Sequence, residues 1–407
     1  MSTSETPITN ELLDQWATDS NGPVALHLKQ KLLPVEGEGG VIFPPTYADI
    51  GYNIDTLSDG TKVATIDSVG SQANRMEPMF KSTGKNDQGE ELNPLAALVP
   101  QIEIILSAKE KDGEKYERRQ SLLDLAHRSA DAVVKATPGL RKFIDPAFLA
   151  LNRHGNAGPL CALAPTSLLF GVWDSRDGTG EKRPRLVRSI IRAWDVDPLF
   201  SAAQFNSTWK ALSIEQQDDL KKYAKAKKKK LSEKGFADAP AIFRKVSQNA
   251  AKQMLEFRNG SPNPERRILG GVLAKGSIER NVTVNLVALR TLRGGNDAET
   301  QQIRKYLLSL AILAATTELD LFLREGCLLR YADTKDVWMQ IPRRGEPSQI
   351  EVPEHNILLK LAMGAATPFK EKWPKDDKGQ PALEYTFNLK KAKELISEND
   401  DEEAAGS

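Results

Sequence analysis

Hydrophobic and polar positions are most regular in the second half of the chain. In "NVTVNLVALRTL", Val282, Val284, Leu286 and Ala288 alternate on one face, and the segment is rich in β-branched residues, which predicts a strand. The next run changes period. Ile303, Leu307, Leu310 and Ala314 share one face at helical spacing, after Asn296 as N-cap and Glu299 as its capping-box partner. A helix is therefore predicted from Asp297, with Gly326 as its terminator and "CLLRY" as a further strand. An earlier segment, "ERRQSLLDLAHRSADAVVKATPG", places Leu122, Leu125, Ala126, Ser129 and Val133 on one helical face. Asp124 with Arg128 and His127 with Asp131 fall at i,i+4, and Pro138–Gly139 is expected to end this helix. Glycine and proline punctuate the first ninety residues, as in "VEGEGGVIFPPTY", "LSDGTK" and "STGKNDQGEE", which predicts short strands and loops. The segment from Ser213 to Lys234 reads as a charged helix or lid, and "FKEKWPKDDKGQPALEY" as a polar loop. The elements together predict an α+β fold.

Composition narrows the class without naming a function. The 407 residues, 40% hydrophobic and 27% charged, describe an ordinary globular protein with enough chain for a large core. The net charge is only +1, but six acidic and no basic residues lie between Glu394 and Ser407; without those six the chain would carry +7. A basic body with an acidic end is compatible with a polyanionic partner. Cys161 and Cys327 are far apart among apolar neighbours and read as core residues, not a disulfide framework or a zinc site. The start is polar, and the most apolar run is interrupted by Ser309, Thr316, Thr317, Glu318 and Asp320. No signal peptide or membrane span is expected, and the chain reads as cytoplasmic.

Candidate chemistry concentrates in "LLFGVWDSRDGTGEKRPRLVRSIIRAWDV", Leu168 to Val196. The glycine-rich part leaves backbone N–H groups free to meet phosphate oxygens, and arginine forks suit phosphate bidentately. Arg185, Arg188 and Arg192 would share one face of a helix; on a strand Arg188 and Arg192 would still share a side, with Arg185 opposite. Arg176, Lys182 and Arg183 extend the cationic group. In "SVGSQANRMEP", the donors Ser71, Gln72, Asn74 and Arg75 could hold sugar and phosphate oxygens; an ordinary serine-capped helix start is the alternative. In "GGVLAKGSIERN", Lys275 and Arg280 flank a turn that is either a basic presentation loop or a plain hairpin. Asp174 and Asp177, with His154 in "NRHGNAGP", would be the residues of a metal-dependent nuclease. The adjacent cations favour ion-paired structural carboxylates instead. No phosphate-binding G-x-x-x-x-G-K-[ST], zinc-protease H-E-x-x-H or hydrolase G-x-S-x-G pattern is present, and none of the four histidines pairs with another at metal-ligand spacing. No cofactor or metal is expected.

"SQANRMEP", "HRSADAVV", "LLFGVWDSR", "RPRLVRSIIRAWDV" and "IRKYLLSLAILAATT" occur in one order. Together they resemble the RAMP backbone subunit, of the Cas-seven class, in type I-U (type I-G) CRISPR Cascade interference complexes. The resemblance implies an RRM-like, ferredoxin-type palm with large inserted finger and thumb elements. It implies one domain over residues 1–393, with insertions near 40–95 and 205–240; the acidic end, 394–407, matches no motif of the family and is expected from its charge to be a disordered tail. It also implies a non-catalytic protein that oligomerises as a helical filament along guide RNA, holds mainly the RNA backbone, and leaves the bases to pair with target DNA. The expected RNA-binding residues are Ser71, Gln72, Asn74, Arg75, Arg176, Lys182, Arg183, Arg185, Arg188, Arg192, Lys275 and Arg280. The implied partners are the guide RNA, the paired target DNA strand, further copies of the chain, the fused five/six-type RAMP subunit, the large subunit and a recruited helicase-nuclease. No aromatic RNP sequence is present, so base stacking on the sheet is not expected.

Overall fold

A computed structural model describes residues 6–47, 50–109, 115–174, 180–201, 208–229, 231, 268–375, 379 and 382–405. Five strands form the centre of its largest sheet: β1 (Ala25–Pro34), β2 (Lys62–Asp67), β3 (Val187–Trp194), β4 (Ile278–Asn285) and β5 (Val337–Ile341). Their spatial order is β5–β1–β4–β3–β2, and every neighbouring pair is antiparallel. Ser348–Glu351 extends the β5 side and Ile54–Thr56 the β2 side. Cys327–Tyr331 pairs with the Leu32–Pro34 end of β1, as its apolar "CLLRY" predicts. The fold is mixed α and β, with a curled antiparallel sheet.

One face of this sheet is covered by helices. Even-numbered residues of β1 and β4 (Leu26, Leu28, Leu32, Ile278, Val282, Val284) and odd-numbered residues of β3 (Val187, Ile191, Ala193) are buried. The two-residue period of a strand sends their neighbours to the opposite face. Against the buried face pack α1 (Val69–Met76), reached directly from β2, and α3 (Asp297–Thr316), reached from β4 through the short helix Leu286–Thr291. α2 (Pro138–His154) and α4 (His355–Lys370) complete the helical layer. α3 is buried on all sides from Tyr306 to Ala315, so it is a central helix and not an amphipathic cover. Its Tyr306 ring stacks on Phe369 of α4 at 4.8 Å between centroids.

Two apolar clusters fill the interior. Leu26, Leu28, Val187, Val282 and Val284 belong to the one beneath α3; Leu32, Ile66, Ile191, Ala193 and Ile278 belong to the other. Polar residues occupy core-facing positions between them: Gln30 on β1, Arg280 on β4 and Ser189 on β3.

Several expectations change. Residues 117–139 are not one helix. Lys115–Ser121 is a strand, two 3-10 turns follow, and Ala132–Lys135 is a single helical turn. Arg128 has φ 54°, which breaks any continuous helix. Pro138 opens α2 instead of ending a helix, since proline lacks only an N–H that the first turn does not use. The expected Asp124–Arg128 pair is absent: Asp124 meets Lys81 at 2.5 Å and Arg128 meets Glu77 at 2.6 Å. The predicted strand around Val282 ends at Asn285, whose side chain accepts from the Ala288 N–H and starts a helix at Leu286. α3 begins where expected, with Asn296 accepting from the Glu299 N–H, but stops at Thr316. Gly326, with φ 73°, turns the Phe322–Arg324/Cys327–Tyr331 hairpin instead. The lysine-rich segment is helical over Ile214–Ala226, with a capping box between Ser213 and Gln216. The acidic end, expected to be disordered, forms the last part of a helix, Leu389–Ala405, whose start is capped by Asn388. Cys161 and Cys327 are buried. No helix among the described residues is long and apolar enough to cross a membrane.

Candidate nucleic-acid interface

The strand alternation that buries Val187 and Ile191 puts Arg188, Ile190, Arg192 and Trp194 on the face of β3 opposite α1 and α3. Register aligns that face across three more strands. Arg188 lies opposite Thr283, which lies opposite His27, which lies opposite Met339. Ile190, Asn281, Lys29 and Val337 form the next row; Arg192, Glu279 and Lys31 form a third. The His27 ring bridges Thr283 and Asn281 at 3.2 Å each. Lys29 meets Glu279 at 2.8 Å and Lys31 meets Glu38 at 3.2 Å. Burial pushes the Glu279 carboxyl up, but hydrogen bonds from Lys29 and Ser277 outweigh it and leave the group lowered, hence ionised at neutral pH. Arg188 is exposed and Arg192 half-buried, and neither has an ion-pair partner among the described residues. This is the strand version of the arginine spacing: the two share a side. A bulge between Ile191 and Arg192 in the pairing with β2 shifts the register there.

A second cationic surface lies at the hairpin Val172–Trp173/Lys182–Arg183. A cleft of about 510 Å³ is lined by His127, Arg128, Lys135, Trp173, Lys182, Arg183 and Arg185, among others. Asp174 is buried and pairs at 3.0 Å with Lys135, which is distant in sequence from the cations adjacent to it. Arg183 pairs with Glu181 at 2.7 Å. Arg128 is held by Glu77 and donates to the Gly171 carbonyl and to Asn74 Oδ1, both within 3.3 Å. Burial raises the Glu77 carboxyl to about 7 despite the Arg128 charge beside it.

The expected phosphate donors therefore separate. Arg188 and Arg192 lie on the open sheet face, and Lys182, Arg183 and Arg185 at the cleft. Asn74 reaches the cleft only through Arg128. Ser71 lies in the first turn of α1, where the Ser68 side chain accepts its N–H at 3.3 Å. Lys275 sits on the turn between Ile268–Ala274 and β4, paired with Asp197 at 2.7 Å. Arg176 and Asp177 lie outside the described residues. Gln72, Arg75 and Arg280 turn inward. Arg280 is fully buried and donates to Gln72 Oε1 at 3.2 Å, Gln30 Oε1 at 2.6 Å and the Ala315 carbonyl at 3.0 Å. Gln72 donates to Asp67 and accepts from Ser189, both at 2.7 Å. Arg75 meets Asp67 at 3.1 Å and donates to the Phe322 and Leu323 carbonyls. A fully buried guanidinium held by three protein oxygens and the Met76 sulfur is out of reach of a phosphate, so Arg280 leaves the set of contact residues. The sequence reading missed Lys29, Lys31 and His27; their alternation with Leu26, Leu28 and Leu32 in "ALHLKQKLLP" is the signal for them. His154 ends α2 and is exposed, with Gly155 in the left-handed cap position.

The family profile described as CRISPR-associated protein GSU0053 matches residues 26–198. Over these residues the chain is similar to that CRISPR-associated family, and the match covers less than half of its length. The matched span contains β1 to β3, α1 and the hairpin cleft, and with them four of the five motifs behind the Cascade resemblance; "IRKYLLSLAILAATT" lies beyond it. No curated protein matches the chain.

Proposed function

We propose that this chain is a non-catalytic, guide-RNA-binding backbone subunit of a CRISPR Cascade complex, of the RAMP, Cas-seven class, repeating along the RNA as a filament. The observation that carries the reading is the sheet face opposite α1 and α3, where Arg188 and Arg192 stand without ion-pair partners among the described residues, beside Lys29, Lys31 and His27. Cations on one open face supply the sequence-independent part of nucleic-acid binding. The strand order supports a ferredoxin-type palm. Leaving β2 aside, β1, β3, β4 and β5 lie in the order fourth–first–third–second, all antiparallel, with helices on one face. That is the order of the βαββαβ unit on which RRM-type modules are built. The similarity of residues 26–198 to a CRISPR-associated family supports guide RNA as the polyanion. A role without cleavage is favoured by Asp174, which is buried and neutralised by Lys135 at 3.0 Å.

Purified protein should bind single-stranded RNA with affinity that falls steeply as salt rises. Arg188→Ala and Arg192→Ala should each weaken binding by a similar factor for every guide sequence. A loss that depended on sequence would contradict backbone contact. Labelled RNA or DNA incubated with Mg²⁺ or Mn²⁺ should remain intact; cleavage abolished by Asp174→Ala would establish the nuclease instead.

A further inference from the structure

Trp173 is fixed in place yet uncovered. It is 60% exposed, although tryptophan is highly buried on average. Its neighbours on both sides are anchored. The Gly171 carbonyl accepts from Arg128, Val172 is buried, and Asp174 is tied by its N–H to the Glu181 carbonyl at 2.9 Å and by its carboxylate to Lys135. Trp173 itself pairs across the hairpin with Lys182, whose ammonium lies 5.2 Å from the ring centroid. A large flat side chain held by its backbone and left open pays little ordering entropy when it is covered.

The surroundings select the kind of molecule that covers it. The cleft beside Trp173 is lined by Arg128, Lys135, Lys182, Arg183 and Arg185 as well as His127. The carboxylates Glu77, Asp174 and Glu181 match three of these five cations, leaving a surplus of two. The surplus is Lys182 and Arg185, both exposed, and neither has an ion-pair partner among the described residues. Every π-face of a nucleobase can stack on an indole, and the linked phosphate needs a cation within a few ångströms of it.

We infer that this cleft is a one-nucleotide subsite for single-stranded nucleic acid, with the base stacked on Trp173 and its phosphate held by Arg185 and Lys182. The inference rests on the RNA-binding reading above but adds a contact to a base, which that reading does not require. It also places a stacking residue away from the sheet, where the RNP aromatics of an RRM would lie.

The test compares the full chain with its Trp173→Ala and Trp173→Phe variants on two probes of equal length: oligoadenylate, and an abasic ribose-phosphate strand. Trp173→Ala should weaken oligoadenylate binding roughly tenfold, the scale of one lost base–aromatic stack, and leave abasic-strand binding and the salt slope unchanged. Trp173→Phe should restore most of the loss. Equal weakening on both probes, or none on either, overturns the subsite. So does a Trp173→Ala variant that binds both RNAs normally but changes the sedimentation of the RNA-free chain, because Trp173 would then be a protein contact. Arg188→Ala run beside them separates the two claims. If it weakens both probes while Trp173→Ala weakens neither, the subsite fails and the sheet reading stands. If the unmodified chain binds neither probe, both fail.

Discussion

Arg188, Arg192 and Arg280 are the same residue type on adjacent strands, and side-chain direction alone gives them opposite roles. The first two point to the open face; Arg280 points to the interior, where Gln30, Gln72 and the Ala315 carbonyl hold it. Arg188→Ala should lower the slope of log affinity against log salt by about one, as expected for one lost phosphate contact, with little change in thermal stability. Arg280→Ala should do the reverse: a stability loss of roughly 2–4 kcal/mol by urea denaturation, from orphaned buried acceptors and a cavity. Glu77 gives a pH signature. Burial lifts its carboxyl from 4.5 to about 7, so between those values the folded protein holds a proton that the unfolded chain has released. Its favourable contribution is complete below pH 4.5 and is lost as pH rises through about 7. Glu77→Gln should flatten the dependence of the urea midpoint on pH across that window.

Among the elements, the hairpin Val172–Trp173/Lys182–Arg183 depends on the glycine at its root. Gly171 has φ 84°, and a Cβ there would lie 2.9 Å from Arg185 Cγ and 3.2 Å from the Arg183 carbonyl oxygen. Gly171→Ala should cost about 1–3 kcal/mol of stability and move Trp173 and Arg185 apart, weakening RNA binding and lowering the salt slope as the Arg185 phosphate contact is lost. How well an element can be read from sequence follows its source of stability. α3 is legible at its start because the Asn296 side chain caps it locally, although the Glu299 carboxylate accepts from the Gly295 N–H and closes no capping box; its end is not legible, because Gly326 acts in a later turn. β3 is legible as an arginine-bearing element; its spacing fits either a helix or a strand, and pairing with β4 makes it a strand. Residues 117–139 mislead because their apolar period is real, yet Leu122, Leu123 and Leu125 are buried through turns around Arg128 and not along one helix.

At the scale of the molecule, the α+β class follows from local periodicity, while the strand order follows from contacts between residues as distant as β1 and β5. The candidate interface divides the same way. Arg188 and Arg192 declare themselves by spacing. The cleft does not, because His127, Lys135 and Arg185 meet only after α1, the turns near Arg128 and the hairpin have packed together. Gln72 and Arg280 look like surface donors in sequence because nothing local says that two apolar clusters leave a polar gap between them.

That gap has a mechanical consequence. Gln30, Gln72, Ser189 and Arg280 form a hydrogen-bonded seam across the middle of the sheet, and hydrogen bonds, unlike oily contacts, fail abruptly with displacement. Under strain the molecule should therefore yield along this line. Amide exchange should show the turn at Lys275 and the strand ends around Ile278 and Leu32 opening as one block, ahead of the block that contains Val282, Leu28 and α3. A molecule with such a crease can change its curvature slightly without unfolding either half, which is the motion that the proposed filament would require.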